Sequence, residues 1–178
     1  GSWKLVPTYE EDLEWLSYWP TEGVGDARFS AMVEKNTTAY QRHGTLNIVV
    51  DGLSVATIRF NQAGDEPKLK VNVKESGKTV SVKGETFTVG VESNIDWVAE
   101  LVDPADASWV TIGDFTPVSQ TFTCAANPGS EPREAQVRIR AYGTSVSCVF
   151  AIMQADRSSA FEEAEKITVA DLLAMGEG

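Results

Sequence analysis

Apolar and polar residues alternate over short stretches through most of this chain. The alternation is clearest in TFTVGVE (residues 86–92) and AQVRIR (residues 135–140), and YGTS (residues 142–145) is typical of a hairpin connector. Eight strands are predicted in the later part of the chain: Lys68–Val73, Thr79–Val82, Glu85–Glu92, Trp97–Val102, Trp109–Ile112, Gln120–Ala126, Ala135–Tyr142 and Ser145–Gln154. Short strands without helical periodicity predict a β-sandwich, with Trp97 and Trp109 filling its core.

The same pattern occurs twice along the chain. Four pairs of residues recur in one order: Trp3 and Trp97, Trp15 and Trp109, Asn36 and Asn127, and Arg42 and Arg133. The offsets within these pairs are 91 to 94 residues, and each copy ends on a similar strand, SVATIRFNQAG (54–64) or SVSCVFAIMQAD (145–156). A fixed order at a nearly fixed offset indicates a tandem repeat.

The repeat divides the chain into two β-sandwiches, residues 1–64 and 65–156, joined near Gln62–Lys68. Trp97 has about thirty residues of its own copy in front of it, whereas Trp3 has two, so we expect the first sandwich to be N-terminally incomplete. It must then be a reduced sandwich or be covered by a neighbouring copy or chain, because soluble proteins avoid open sheet edges. Residues 157–178 are predicted to be a linker and the start of a following domain.

Charge and cysteine content narrow the class of function. The net charge of −11 argues against a nucleic-acid partner, and no apolar run approaches the length of a membrane helix. Cys124 and Cys148 do not form a CxxC motif, so neither a zinc site nor a dithiol redox motif is indicated. Their counterparts, about Val33 and Ala56, are apolar, which favours buried free thiols over a disulfide without deciding between them.

Catalytic machinery is not evident in the sequence. The single histidine, His43, corresponds to Glu134 in the other copy, so we interpret it as a solvated loop residue. In the repeated Asn–Arg pair, we expect the asparagine to adopt the backbone geometry of a turn and the arginine to donate hydrogen bonds to loop carbonyls. The close acids of DPAD (residues 103–106) are typical of a turn. We therefore predict no enzyme activity, no cofactor and no metal site.

Three stretches of the second copy resemble the BACON domain, a sandwich module of surface and secreted Bacteroidetes proteins. They are ASWVTI (107–112), NPGSEPREAQVRI (127–139) and SCVFAIMQ (147–154), and the resemblance covers Asp65–Asp156 and the later two-thirds of the pattern in Gly1–Gly64. It implies a non-catalytic immunoglobulin-like fold, a polysaccharide or mucin glycan as ligand, and a location at the cell surface, anchored in the outer membrane, or in secreted material. It also implies neighbouring domains in the same chain, with an OB-like domain after the second copy.

Exposed aromatic rings are the candidates for glycan binding, because the C–H faces of sugars stack on them. The candidates are Trp19, Tyr40, Phe115 and Tyr142. Trp19 is the foremost, because it aligns with Gly113, whereas Tyr18 aligns with Ile112 and is predicted to lie in the core. The competing interpretation is that these rings pack against the fold, and that the protein is a rigid spacer or adhesion module positioning a distal domain.

Overall fold

The computed structural model describes residues 1–9, 13–74 and 76–157. The chain divides into two compact units, the first spanning Gly1–Glu66 and the second beginning at Pro67. The linker and following element predicted from residue 157 onward lie almost entirely outside the described residues.

The described part of the first unit contains two antiparallel sheets. One has the strand order β3-β1-β5-β6, and the other is the pair β2-β4. The strands are β1 (Ser2–Pro7), β2 (Leu16–Trp19), β3 (Glu22–Val24), β4 (Ser30–Val33), β5 (Arg42–Val50) and β6 (Leu53–Gln62). Its core is small: the described residues buried in it are Leu13, Trp15, Leu16 and Leu46.

The second unit is a sandwich of two four-stranded sheets, ordered β10-β13-β14-β8 and β11-β12-β9-β7. The strands are β7 (Leu69–Val71), β8 (Lys78–Val80), β9 (Glu85–Ser93), β10 (Trp97–Leu101), β11 (Val110–Thr116), β12 (Ser119–Cys124), β13 (Arg133–Ala141) and β14 (Ser147–Gln154). All eight predicted strands are present, and the predicted all-β sandwich class is confirmed. The DPAD segment forms a short 3-10 helix, Pro104–Ser108, capped by Asp103, where the sequence predicted a turn.

Alternating apolar residues on facing strands build the core of the second unit. The Phe122 side chain of β12 is fully buried. Its ring lies 5.6 Å from that of Phe87 in the same sheet and 5.9 Å, edge-on, from that of Phe150 in the facing sheet. The predicted core tryptophans, Trp97 and Trp109, both belong to this cluster. The period-two pattern therefore produces two inner faces that interdigitate.

The pairing registers of the strands that the two units share match, whereas the β1–β3 pair of the first unit has no counterpart in the second. Trp3 of β1 lies opposite Val50 of β5, as Trp97 of β10 lies opposite Ala141 of β13. Strands β2, β4 and β6 correspond in the same way to β11, β12 and β14. Within the described residues of the first unit, no strand corresponds to β7, β8 or β9. The tandem repeat is thus present, and the described part of the first unit contains fewer of the shared strands than the second.

Both cysteines are free thiols. Cys124 is buried, whereas Cys148 is half-buried, with its Sγ 3.5 Å from the Leu69 carbonyl oxygen. Burial raises the pKa of each thiol above its ordinary value, because desolvation disfavours the thiolate.

These raised pKa values predict slow thiol modification. Because the thiolate is the reactive form, the folded chain at pH 8 should react with a disulfide reagent at least about tenfold more slowly than the chain unfolded in guanidinium. Absorbance of the released thiolate measures both rates, and Cys148→Ser assigns the faster phase. Fewer than two reactive thiols after unfolding would instead indicate a disulfide.

Candidate functional site

A repeated cluster of Trp, Arg and Gln side chains stabilises each unit. In the second unit the Arg133 guanidinium lies 4.3 Å from the Trp109 ring centroid. Its Nε donates to Gln154 Oε1 at 2.7 Å, and an Nη donates to the carbonyls of Ala125 and Ala126 at 2.8 and 3.0 Å. Desolvation lowers the pKa of Arg133 from its ordinary value.

The first unit contains the same cluster. The Arg42 guanidinium lies 4.7 Å from the Trp15 ring centroid. Arg42 Nε donates to Gln62 Oε1 at 2.8 Å, and an Nη donates to the Glu34 carbonyl at 2.7 Å. The carbonyl-bonding role predicted for these arginines is confirmed, and it makes them part of the framework.

The repeated asparagines, Asn36 and Asn127, stabilise the loop that precedes β5 in the first unit and β13 in the second. Asn36 Nδ2 donates to the carbonyls of Tyr40 and Ala63 at 2.7 and 3.1 Å. Asn127 Nδ2 donates to those of Glu131 and Ala155 at 2.9 and 3.0 Å. Both asparagines are buried, so their amides bond carbonyls that water does not reach.

His43 is exposed, as predicted, but it lies in strand β5 opposite Asn61 rather than in a loop. The strand begins one residue earlier, because Arg42 pairs with Gln62 at the end of the β5–β6 hairpin. Within residues 1–9, 13–74 and 76–157, no group of three or more His, Cys, Asp or Glu side chains could hold a metal ion.

Trp19 is the last residue of β2 and is 52% exposed. It lies opposite Ser30 of β4, and Ser17 shares its outer face of the sheet. Tyr18 points the other way and packs, half-buried, against the core of the first unit, as predicted. Trp19 is therefore an exposed aromatic at the end of a strand, with Ser17 and Ser30 beside it on the outer face of the sheet.

The other three candidates are exposed but differ in their contacts. Phe115 lies in β11, and its ring centroid is 4.8 Å from that of Trp97 at an interplanar angle of 58°. Arg140 lies 5.7 Å from the Tyr142 ring centroid. Tyr40 lies in the connection between β4 and β5. Phe115 thus covers a core tryptophan, which gives it a packing role as well as an exposed face.

The candidates do not converge on one site. Trp19 lies where β2 ends and β4 begins, whereas Tyr40 follows the other end of β4, so the two lie towards opposite ends of this strand pair. In the second unit Phe115 contacts Trp97, which pairs with Ala141 beside Tyr142. Phe115 and Tyr142 therefore belong to the same end of that unit.

A groove of about 580 Å³ lies beside Trp3 in the first unit. Lys4 and Glu22, which pair across β1 and β3, line it together with Asp51. Asp51 and Gly52 form the β5–β6 turn with φ values of 47° and 87°, and Asp51 accepts hydrogen bonds from Ser2. Sequence reasoning missed this groove, although the Asp-Gly pair is a hairpin-turn signal.

Trp3 and Trp97 occupy matching positions in different surroundings. Trp97 is buried and its Nε1 donates to the Pro117 carbonyl at 3.0 Å. Trp3 is half-buried, and its Nε1 is buried without a hydrogen-bond partner. An added Cβ on Gly23 would lie 2.5 Å from the Trp3 ring, so the glycine allows β3 to approach it.

The family comparison matches both units, over residues 8–63 and 87–155, to "BACON: Putative binding domain, N-terminal". The chain belongs to the BACON family. This confirms the resemblance in ASWVTI, NPGSEPREAQVRI and SCVFAIMQ, and the framework of Trp, Asn, Arg and Gln is what the two BACON units share. No curated protein matches the chain.

Two solved structures align with this BACON chain at low similarity. The endo-fucoidan hydrolase MfFcnA4 of glycoside hydrolase family 107 is 11% identical, with a TM-score of 0.35. A variant of the same hydrolase is also 11% identical, with a TM-score of 0.36. In both, the alignment covers 86% of this chain but only 23% of the hydrolase chain. Similarity at this level carries no argument about activity. In the described part of the chain, no helix is long and apolar enough to cross a membrane.

Proposed function

We propose that this chain is a non-catalytic glycan-binding module of a cell-surface or secreted protein. The observation that carries the proposal is the exposed ring of Trp19 at the end of β2, next along the chain to the polar groove beside Trp3. The family description as a binding domain supports a ligand of some kind, and the chemistry of these side chains favours a polysaccharide or mucin glycan.

Trp19 offers the apolar half of a sugar site. Its indole ring can stack on the C–H face of a pyranose, and its exposure leaves that face open to a ligand. Tyr18 rather than Trp19 packs against the core, so removal of the Trp19 ring leaves that core cluster unchanged.

The groove offers the polar half. Lys4 donates hydrogen bonds, and the carboxylates of Glu22 and Asp51 accept them, which suits sugar hydroxyls. Trp19 and Glu22 are three residues apart, so the chain places their Cα atoms within about 10 Å. One sugar on Trp19 and the next in the groove would span that distance.

The test is a glycan array with the purified chain, followed by calorimetric titration of the best ligand. An open stacking site predicts a Kd on the order of 0.1 to 1 mM. Trp19→Ala should abolish measurable binding while leaving the melting temperature nearly unchanged, because the ring contributes little to packing.

Phe115→Ala is the matched control, since it removes an equally exposed ring from the second unit. It should lower affinity less than Trp19→Ala does, but lower stability more, because Phe115 covers Trp97. Loss of several degrees in melting temperature on Trp19→Ala, or an array without binding, would favour the spacer function instead.

A further inference from the structure

Two neighbouring arginines lie on the outer face of the β10-β13-β14-β8 sheet. Arg138 and Arg140 are two residues apart in β13, so both point away from the core, and each side chain is a little under half exposed. Arg138 Nη1 lies 3.4 Å from Glu100 Oε1, and Arg140 Nε lies 3.3 Å from Glu100 Oε2. This one carboxylate balances only one of the two positive charges, in a chain whose net charge is −11.

Most N–H groups of the two arginines make no bond within residues 1–9, 13–74 and 76–157. A guanidinium has five N–H donors in a planar fork, and Arg138 and Arg140 each use one, for Glu100. Both distances are longer than the roughly 2.7–2.9 Å of a strong charged hydrogen bond. Glu134, the next acidic residue of β13 on this face, is about 13 Å from Arg138 along the strand. The two arginines can therefore accept a second anion.

Tyr142 adds an aromatic ring to this face. It is the first residue after β13, it is 51% exposed, and the Arg140 guanidinium lies 5.7 Å from its ring centroid. Its backbone N–H donates to the Asp96 carbonyl at 2.8 Å, which fixes the start of the β13–β14 turn. Arg138, Arg140 and Tyr142 form a row about 13 Å long, which we call the arginine–tyrosine row.

The shared fold does not require the arginine–tyrosine row. At the matching positions the first unit has Asn47, Val49 and Asp51, as the registers of the two sheets show. The Trp, Asn, Arg and Gln framework, in contrast, recurs in both units. Uncharged residues at the two arginine positions are therefore compatible with this fold.

We propose that the arginine–tyrosine row binds an acidic saccharide, a pyranose chain that carries carboxylate or sulfate groups. Each planar guanidinium matches two oxygens of such a group, and the tyrosine ring stacks on the C–H face of an adjoining sugar. An acidic peptide has the charge but no such face, so the ring favours a saccharide. The proposal rests on the glycan-binding function proposed above, but it assigns a separate site to the second unit.

The probe is trigalacturonic acid, titrated into the whole chain and followed by NMR of the backbone amides and of the arginine Nε–H groups. We expect a Kd on the order of 0.1 to 1 mM, with shifts at Arg138, Arg140 and Tyr142. The methyl ester of the same trisaccharide has no charge and should bind at least about tenfold more weakly. A sulfated galactose trisaccharide is the second arm. Tighter binding than trigalacturonic acid identifies sulfate as the preferred anion, and weaker binding identifies carboxylate.

Two double variants locate the site. Arg138→Asn with Arg140→Val introduces the residues that the first unit has at these positions, so the melting temperature should stay within a few degrees. It should weaken trigalacturonate binding by at least about tenfold. The control, Arg59→Val with Lys83→Asn, removes two positive charges from other exposed positions and should change the affinity less than about threefold. Tyr142→Ala should weaken binding by about fivefold, because it removes the stacking ring.

Three results would overturn the proposal: equal affinity for trigalacturonic acid and its methyl ester, equal losses in the two double variants, or tighter binding of a tri-glutamate peptide than of both anionic saccharides. Trp19→Ala separates this proposal from the function proposed above. It should leave the titration of the Tyr142 signals unchanged. A glycan bound without charge preference, and lost on Trp19→Ala alone, would reject the arginine–tyrosine row as a site and leave the proposed function standing.

Discussion

Phe122→Ala should lower the free energy of unfolding of the second unit by about 3–5 kcal/mol. Phe122 is fully buried and bridges the two sheets, with Phe87 beside it and Phe150 facing it. Alanine would leave a cavity between rigid strands, which cannot move together without breaking the ladders that β12 makes with β11 and β9.

Denaturant unfolding followed by NMR separates the two units, because each has its own resolved amide signals. Thr123→Ala is the control: the next residue of β12 is exposed, and its hydroxyl bonds that of Thr86 at 3.0 Å. It should change stability by no more than about 0.5 kcal/mol. A loss below about 1 kcal/mol for Phe122→Ala would contradict the packing described for this sheet.

The natural counterpart of Phe122 adds a comparison within the chain. Ala31 occupies the same position in the first unit and is exposed. An alanine is compatible with that position because no described strand covers it. The same residue type is thus expected to be harmless in one unit and severely destabilising in the other.

The fold was predictable because burial follows sequence alternation. Inward and outward residues alternate strictly in β9, β12, β13 and β14. The same pattern also occurs in both copies of the repeat, so each copy supports the prediction made from the other. The strand ends were less predictable: β11 runs on to Thr116 through an irregular register between Ile112 and Phe115. Such an irregularity depends on the partner strand, not on the local sequence.

The candidate site was only partly predictable. Trp19 stood out because the other copy has Gly113 at that position, a comparison available from sequence. The groove beside Trp3 did not stand out, because it depends on Glu22 meeting Lys4 and on Asp51 meeting Ser2, contacts between residues far apart in sequence. The alignment of Trp3 with Trp97 also suggested that Trp3 belongs to the framework, but the surroundings of the two tryptophans differ.

Arg133→Met should lower the stability of the second unit by about 2–3 kcal/mol. Methionine fills a similar volume over Trp109 but donates no hydrogen bond. Gln154 Oε1 would lose its guanidinium donor, and Gln154 is almost completely buried, so water cannot replace the bond. The carbonyls of Ala125 and Ala126 would lose a donor as well.

Arg138→Met is the matched control on the same strand. Arg138 pairs with Glu100 at 3.4 Å on the exposed face of the sheet, where a salt bridge contributes at most about 1 kcal/mol.

Arg133→Lys tests geometry. A single ammonium cannot bond both Gln154 and the two carbonyls while contacting the Trp109 ring, so lysine should recover less than half of the stability lost in Arg133→Met. Equal effects of Arg133→Met and Arg138→Met in urea titrations would mean that charge alone matters. A larger loss at Arg133 would instead assign the stability to the bonded cluster, and Arg42→Met should then destabilise the first unit in the same way.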